Sequence, residues 1–221
     1  MKKLLSLLIV SVMALSMTAC SKEETNLTSS DDNTQQTQTQ QQEVTPTVDE
    51  EKLYADPIGF TIELENGGVM KGELYPNLAP KTVDNFVKLA NDNFYDGLIF
   101  HRVIKEFMIQ GGGYEKDMTP KDSDMIVGEF ASNGFNNPLK HTKGVISMAR
   151  TPDPNSASSQ FFIMHADSPH LDGEYAAFGK VTEGLEYIDE IAETKTTVYA
   201  EYGMSDVPAE PIIIKTITID D

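Results

Sequence analysis

Tryptophan is absent from these 221 residues and cysteine occurs once. Basic side chains are outnumbered two to one, 17 Lys and Arg against 35 Asp and Glu, for a formal charge of −18. Each scarcity excludes something. The lone Cys20 forms no intrachain disulfide and supports no cysteine-ligated metal site. His101, His141, His165 and His170 lack the HxxxH and HExxH spacings of zinc sites, so neither a metal nor a cofactor is expected. The deficit of Lys and Arg argues against a nucleic-acid partner, because phosphate binding needs a basic surplus on some face. Hydrophobic residues at 39% and aromatics at 8% suffice for one core, but they are unevenly spread.

The N-terminus reads as an address. Lys2 and Lys3 precede the apolar run Leu4–Leu15. That run is too short to span a bilayer, which takes a helix of about 20 residues, and suits the core of an export signal. Met17-Thr18-Ala19 then lead into Cys20 and resemble a bacterial lipobox, with Met17 where leucine is usual. The expectation is a signal peptide over 1–19, lipidation at Cys20, and membrane contact through that lipid anchor only. The location is then extracytoplasmic, with the outer face of the plasma membrane favoured. Two or more acyl chains give stable anchoring. Residues 20–53 read as a disordered acidic tether. Between 21 and 50 there are only Leu27, Val44 and Val48 as sizeable apolar groups, among Gln, Thr and acids, and no core forms from such a composition. A flexible coil of this length reaches roughly 30 Å.

From residue 54 the pattern becomes that of a folded domain running to 221. Phe60–Glu65 and Val69–Tyr75 alternate apolar and polar around Asn66-Gly67-Gly68, which predicts a β-hairpin. Pro80 suits a helix start, and Val83, Phe86, Val87 and Ala90 follow at helical spacing. Short apolar runs recur at 98–104, 107–110, 144–149, 161–164, 176–182 and 212–219, with a second helical pattern from Leu185 to Ala192. Many short strands with two helices predict an all-β-dominated fold, a closed eight-stranded antiparallel barrel capped by two α-helices. No exposed apolar stripe stands out, so a monomer is expected.

Strand parity sorts the residues that carry chemistry. Met108 and Gln110 share a face, as do Gln160 and Phe162, while Ile109, Phe161 and Ile163 take the other and are assigned to the core. A permanently charged Arg102, two carboxamides and a patch of Phe and Met describe a site that holds something uncharged and apolar while donating hydrogen bonds. His101, beside Arg102, is expected to face away from it as a hydrogen-bonded core histidine. Gly111-Gly112-Gly113 reads as a tight turn, since no phosphate-loop context accompanies it. Asp153-Pro154-Asn155 lacks the glycine and terminal glutamate of a calcium loop. Ser147, Ser158 and Ser159 have no nucleophile-elbow context, so a serine hydrolase is not expected.

The segments FHRVIKEFMIQGG, GVISMARTPDPNSASSQFFI and HLDGEYAAFGKV resemble the cyclophilin family of peptidyl-prolyl isomerases over about Gly59–Ile219. The resemblance implies an isomerase acting on proline-containing segments of exported or unfolded proteins. The alternative left open is a proline-binding chaperone or scaffold module with little catalysis. By resemblance, Arg102 is the catalytic arginine, with Phe107 and Gln110 beside it, and Gln110 bonds the substrate backbone and helps hold the arginine. Phe107, Met108, Phe162 and Leu171 are the proline-pocket walls. Ala149, Arg150 and Thr151 are the edge that pairs with bound peptide, and Gln160 is on the rim. His170 stands where many relatives carry Trp, which should shrink the apolar wall. Glu174 and Tyr175 stand where many carry basic residues, and the rim is expected to be acidic.

Overall fold

Residues 50–201 and 203–220 are described by the computed structural model. The segments read as an export signal and as the tether up to residue 49, with Cys20 between them, lie outside the described residues. Within the segment read as the end of the tether, Glu50–Leu53 form one turn of helix, α1. Asn77 fastens it, donating from Nδ2 to the carbonyls of Lys52 at 3.1 Å and Ala55 at 3.0 Å. The rings of Tyr54 and Tyr75 then meet edge to face at 5.1 Å.

The predicted hairpin forms from β1 (Ile58–Leu64) and β2 (Val69–Leu74). Phe60, Ile62 and Leu64 point inward and are buried, while the residues between them face outward. The turn closes with Leu64 N–H on the Gly68 carbonyl at 2.8 Å and Gly68 N–H on Asn66 Oδ1 at 3.0 Å. Gly67 sits at φ +92°, a conformation glycine adopts at no steric cost.

Helix α2 (Pro80–Asn91) starts at the proline and buries Val83, Phe86, Leu89 and Ala90. Its N-terminus is capped from a distance, because Ala79 has no side-chain acceptor to offer. Glu129, buried in the long irregular stretch before β5, accepts the N–H of Lys81 at 3.1 Å. It also accepts the N–H and the hydroxyl of Thr82, each at 2.8 Å. A carboxylate there satisfies helix donors that have no partner inside the helix and meets the positive end of its dipole.

The remaining strands are β3 (Leu98–Ile104), β4 (Met108–Glu115), β5 (Val145–Met148), β6 (Phe161–Met164), β7 (Ala177–Glu183), β8 (Thr196–Tyr199), β9 (Met204–Pro208) and β10 (Ile214–Ile219). Helix α3 (Leu185–Ala192) lies between β7 and β8. Eight strands form one sheet in the order β10-β1-β2-β7-β5-β6-β4-β3, every pair antiparallel. Its two edges meet at the bridge Ile99–Ile213. There Gly97 N–H reaches the Ile214 carbonyl at 2.9 Å and Phe100 N–H reaches the Ile212 carbonyl at 3.0 Å. The expected eight-stranded barrel with two helices is therefore present, and nearly closed. Over β3 lies a hairpin that the sequence reading did not anticipate, β8–β9. Its Val207 joins Ile99 and Met118 in a small separate core. Phe86 of α2 plugs the main core, its ring 5.3–6.0 Å from those of Phe60, Tyr95, Phe161 and Phe178.

Gly111-Gly112-Gly113 is not a turn. It lies inside β4, where bare backbone is needed for close approach. A Cβ on Gly113 would stand 2.4 Å from Cγ of Gln160, and one on Gly112, itself at φ +84°, would stand 2.8 Å from the Ser159 carbonyl.

Replacing Glu129 with alanine leaves three donors buried or half-buried without their acceptor. The expected loss is about 3 kcal/mol in urea unfolding, with Glu129→Gln losing less because one acceptor oxygen survives. A Glu129→Ala midpoint equal to that of the parent would remove the distant cap from this account.

Candidate active site

Arg102 reaches the outer face of the barrel because β3 carries one extra residue. Phe100 pairs with Gly111 and Arg102 with Gln110, so two steps along β3 oppose one along β4. The bulge at His101 reverses the inward–outward phase. Leu98 and Phe100 point into the core before it and Val103 after it. Arg102 therefore stands outside, level with Gln110, and Ile104 joins Met108 and Phe107 in a second apolar cluster. That cluster also buries Val145, Phe162, Met164, Leu171 and Ala177 on the outer face of the sheet. The parity assignment of Ile109, Phe161 and Ile163 to the main core agrees with their full burial.

A groove with about 420 Å³ of open space is lined by Arg102, Phe107, Met108, Gln110, Ala149, Arg150, Phe162, Leu171 and Tyr175. Strands β3, β4 and β6 supply Arg102, Met108, Gln110 and Phe162, the turn before β4 supplies Phe107, and the segment just after β5 supplies Ala149 and Arg150. The short 3₁₀ turn Pro169–Leu171 and the loop after it supply Leu171 and Tyr175. Three residues expected in the site lie just off the groove. Gln160 sits behind it, its Oε1 accepting from Gln110 Nε2 at 2.9 Å. His170 is exposed and stacks on Phe107 with ring centres 5.7 Å apart. Thr151 lies in an exposed turn, its N–H on Ser156 Oγ at 2.9 Å.

The two arginines have opposite fates. Arg150 is fully engaged. It donates through Nε and Nη2 to the Glu174 carbonyl at 3.1 and 2.9 Å and through Nη1 to the Thr151 carbonyl at 2.9 Å. Its guanidinium also lies over the rings of Phe130, at 5.0 Å, and Tyr175, at 4.7 Å. The Arg102 guanidinium makes no ion pair and no hydrogen bond among the described residues. The amide of Gln110, expected to help hold that arginine, is turned to Gln160 instead. The rim is less acidic than the sequence suggests. Glu174 is 3.8 Å from Arg150 and accepts a hydrogen bond from Ser132 at 3.0 Å, and Asp172 is paired with Lys140 at 3.5 Å. Tyr175, expected only as a rim position, lines the groove, its ring edge to face on Phe162 at 5.7 Å.

Behind the groove stands an arrangement that sequence spacing did not reveal. His141 Nδ1 lies 3.1 Å from Asp172 Oδ1, and its Nε2 lies 3.1 Å from Ser147 Oγ. Burial pushes the His141 pKa down against the opposing pull of Asp172. Burial would raise Asp172, but hydrogen bonds from His141 and the charge of Lys140 outweigh it and hold the carboxyl below its usual range. Donor and acceptor order is that of a nucleophile triad, yet Ser147 is fully buried and no substrate reaches its hydroxyl. His141 instead backs Phe162, the two rings stacked 6.0 Å apart.

His101 is buried as expected, beside Gln160 and under Tyr114, with ring centres 4.7 Å apart. Its Nδ1 has no hydrogen-bond partner among the described residues, so the expectation of a hydrogen-bonded core histidine is only half met. Burial lowers its pKa to about 4, the charge of Arg102 adding to the effect and polar contacts with Ile99 and Gln160 opposing it.

An open apolar slot beside one unengaged cation, on a rigid barrel face, defines a site for an extended chain carrying an apolar side group. The comparisons place it further. Residues 59–219 match the family described as cyclophilin type peptidyl-prolyl cis-trans isomerase/CLD, and the chain belongs to that family. It is 44% identical over 159 residues to a peptidyl-prolyl cis-trans isomerase of Acinetobacter baylyi, covering 70% of this chain and 81% of that one. It is 39% identical over 165 residues to peptidyl-prolyl cis-trans isomerase B of Escherichia coli, covering 71% of this chain and 96% of that one. A cyclophilin-type isomerase of Cryptosporidium parvum, crystallised in the presence of the dipeptide Ala-Pro, superimposes with a TM-score of 0.61. It is 32% identical and covers 74% of this chain and 99% of that one.

The buried His101 links stability to pH. The unfolded chain takes up a proton below about 6.5, whereas the folded ring resists until about 4. Its share of stability is present above the unfolded value and is lost as pH falls through that window, up to on the order of 3 kcal/mol. His141, shifted the same way, adds to the slope. In urea unfolding at pH 7.0 and 4.5, His101→Leu should lose measurably less stability between the two than the parent; an unchanged difference would exclude His101 as a source.

Proposed function

We propose that this chain accelerates cis–trans rotation about X-Pro bonds in exported proteins, with Arg102 as the donor that stabilises the twisted state. The observation that carries this reading is the unengaged guanidinium beside the slot formed by Phe107, Met108, Phe162 and Leu171. Rotation about a peptide bond crosses roughly 18–20 kcal/mol because it destroys amide resonance. Only X-Pro offers cis and trans forms within about 1 kcal/mol of each other, so proline is the practical substrate.

The slot takes the pyrrolidine ring, and Gln110 and the backbone at Ala149 flank the chain on either side of it. When the bond twists out of plane, the prolyl nitrogen regains a lone pair. Arg102 then donates to that nitrogen, an interaction scarcely present in the planar state, and binding that strengthens only on twisting lowers the barrier. A preorganised charged donor of this kind supplies on the order of 3 kcal/mol. The reaction transfers no proton and forms no covalent bond.

The placement on exported substrates rests on the N-terminal pattern of Lys2, Lys3, the Leu4–Leu15 run and Cys20. A lipid on Cys20 would hold the barrel at the outer face of the plasma membrane, within reach of chains emerging unfolded. Cys20→Ser should move the protein from the membrane to the soluble fraction, and membrane retention by that variant would exclude the anchor.

Exchange of an Ala-Pro peptide measured by NMR tests the chemistry. The parent should accelerate exchange, and Arg102→Ala should lose about tenfold or more while its circular dichroism is unchanged. A folded parent that binds the peptide without accelerating exchange would instead be a proline-binding module.

A further inference from the structure

Phe107 reaches the groove from the turn between β3 and β4, and that turn is held in an unfavourable conformation. Glu106 has φ +60°, the left-handed region, although it is not glycine. Such a residue persists where surrounding structure over-determines it. Within the turn itself, Phe107 N–H reaches the Ile104 carbonyl at 3.1 Å. The other restraints come from the residues that follow β6. His165 Nδ1 accepts the Glu106 N–H at 2.8 Å. The backbone N–H groups of His165 and Ala166 both donate to the Phe107 carbonyl, at 2.9 and 3.3 Å.

The far side of the His165 ring is equally engaged. Nε2 lies 3.2 Å from Asp189 Oδ1 on α3, and Lys143 Nζ binds the same carboxylate oxygen at 2.5 Å. Since Nδ1 accepts from a backbone N–H, the ring hydrogen of the neutral histidine sits on Nε2 and points at Asp189. The carboxylate thereby fixes the tautomer that the turn requires, as a second partner does for an oriented imidazole. The His165 side chain itself is 13% exposed, while Asp189 is 47% exposed.

We propose that His165 is a positioning residue for the isomerase site. It accepts the Glu106 N–H, keeps the β3–β4 turn in its left-handed form and so sets where the Phe107 ring stands in the slot. Removing the acceptor frees Glu106 to relax into ordinary backbone, which swings the next residue. The stack with exposed His170 alone does not restrain Phe107 from the chain side. The inference rests on the isomerase reading for its effect on rate, and on geometry alone for its effect on the turn.

The full chain, His165→Leu and His165→Asn separate the possibilities. Asn places an amide oxygen where Nδ1 stood, whereas Leu fills the space without an acceptor. His165→Leu should lower kcat/KM for an Ala-Pro peptide about tenfold and speed amide exchange at Glu106 and Phe107 by a similar factor, with β1–β2 amides unchanged. His165→Asn should stay within about threefold of the parent in both readouts. Parent-like exchange and rate in folded His165→Leu, or equal impairment in the two variants, would overturn the clamp. A parent that exchanges no peptide would overturn the isomerase reading, and the amide rates at Glu106 and Phe107 would still decide the clamp.

Discussion

The extra residue in β3 is the constraint on which the site depends. Were that strand regular, Arg102 would continue the phase of Leu98 and Phe100 and enter a core of Phe86, Tyr95 and Phe161. Burying a guanidinium there without a partner costs several kcal/mol. With His101 bulged out of register, Val103 takes the inward place and the charge stands on the outer face beside Gln110. The glycines of β4 are the counterpart of this irregularity. They remove the side chains that would collide with Phe100, Phe161 and Gln160 where the two strands crowd together.

Ion pairing then takes up several cations of a strongly acidic chain, while the Arg102 guanidinium has no partner among the described residues. Lys105 pairs with Glu193 at 2.7 Å, Lys143 with Asp189 and Lys215 with Glu63 at 2.9 Å. Arg150 is taken up by carbonyls and aromatic faces. Exposed pairs of the first kind add little stability. At the site, the groove lining contains no acid, and the Arg102 guanidinium keeps its donors for whatever enters the groove.

The sequence carried the strands, the capping helices and most of the groove because those rest on local periodicity and on long ordered motifs. Met108 and Phe162 were legible as an outward apolar face from parity, whereas Phe107 rested on the family resemblance. The β8–β9 hairpin was not legible, since TTVY and MSDVP are short and polar, TTVY stays largely exposed, and the burial of Val207 comes from packing on Ile99 of β3. Gly111-Gly112-Gly113 was misread because glycine signals freedom of φ and absence of Cβ with the same letter, and only the packing of Gln160 distinguishes them. The unpaired Nδ1 of His101, the turning of Gln110 toward Gln160 and the capture of Arg150 by Tyr175 are non-local contacts. No spacing encodes them. Glu106 left a faint mark, a charged residue in a tight turn between two apolar strands, but its left-handed backbone is visible only in three dimensions.

Ser147, His141 and Asp172 show why geometry must be read together with access. The same donor–acceptor order that activates a hydroxyl for attack occurs here under a closed layer of side chains. Its effect is on the walls of the groove. Asp172 ties the loop carrying Leu171 and Tyr175 to His141, through the ring and through the His141 backbone N–H at 2.8 Å. Ser168 N–H closes the same link on the His141 carbonyl at 2.8 Å. His141 in turn braces Phe162 from behind. A pocket that must distinguish a twisted peptide from a planar one cannot let its walls follow the substrate, because compliance would bind both forms alike and leave the barrier unchanged. Buried hydrogen-bonded groups behind apolar walls supply that rigidity where hydrophobic packing alone would let the loop shift.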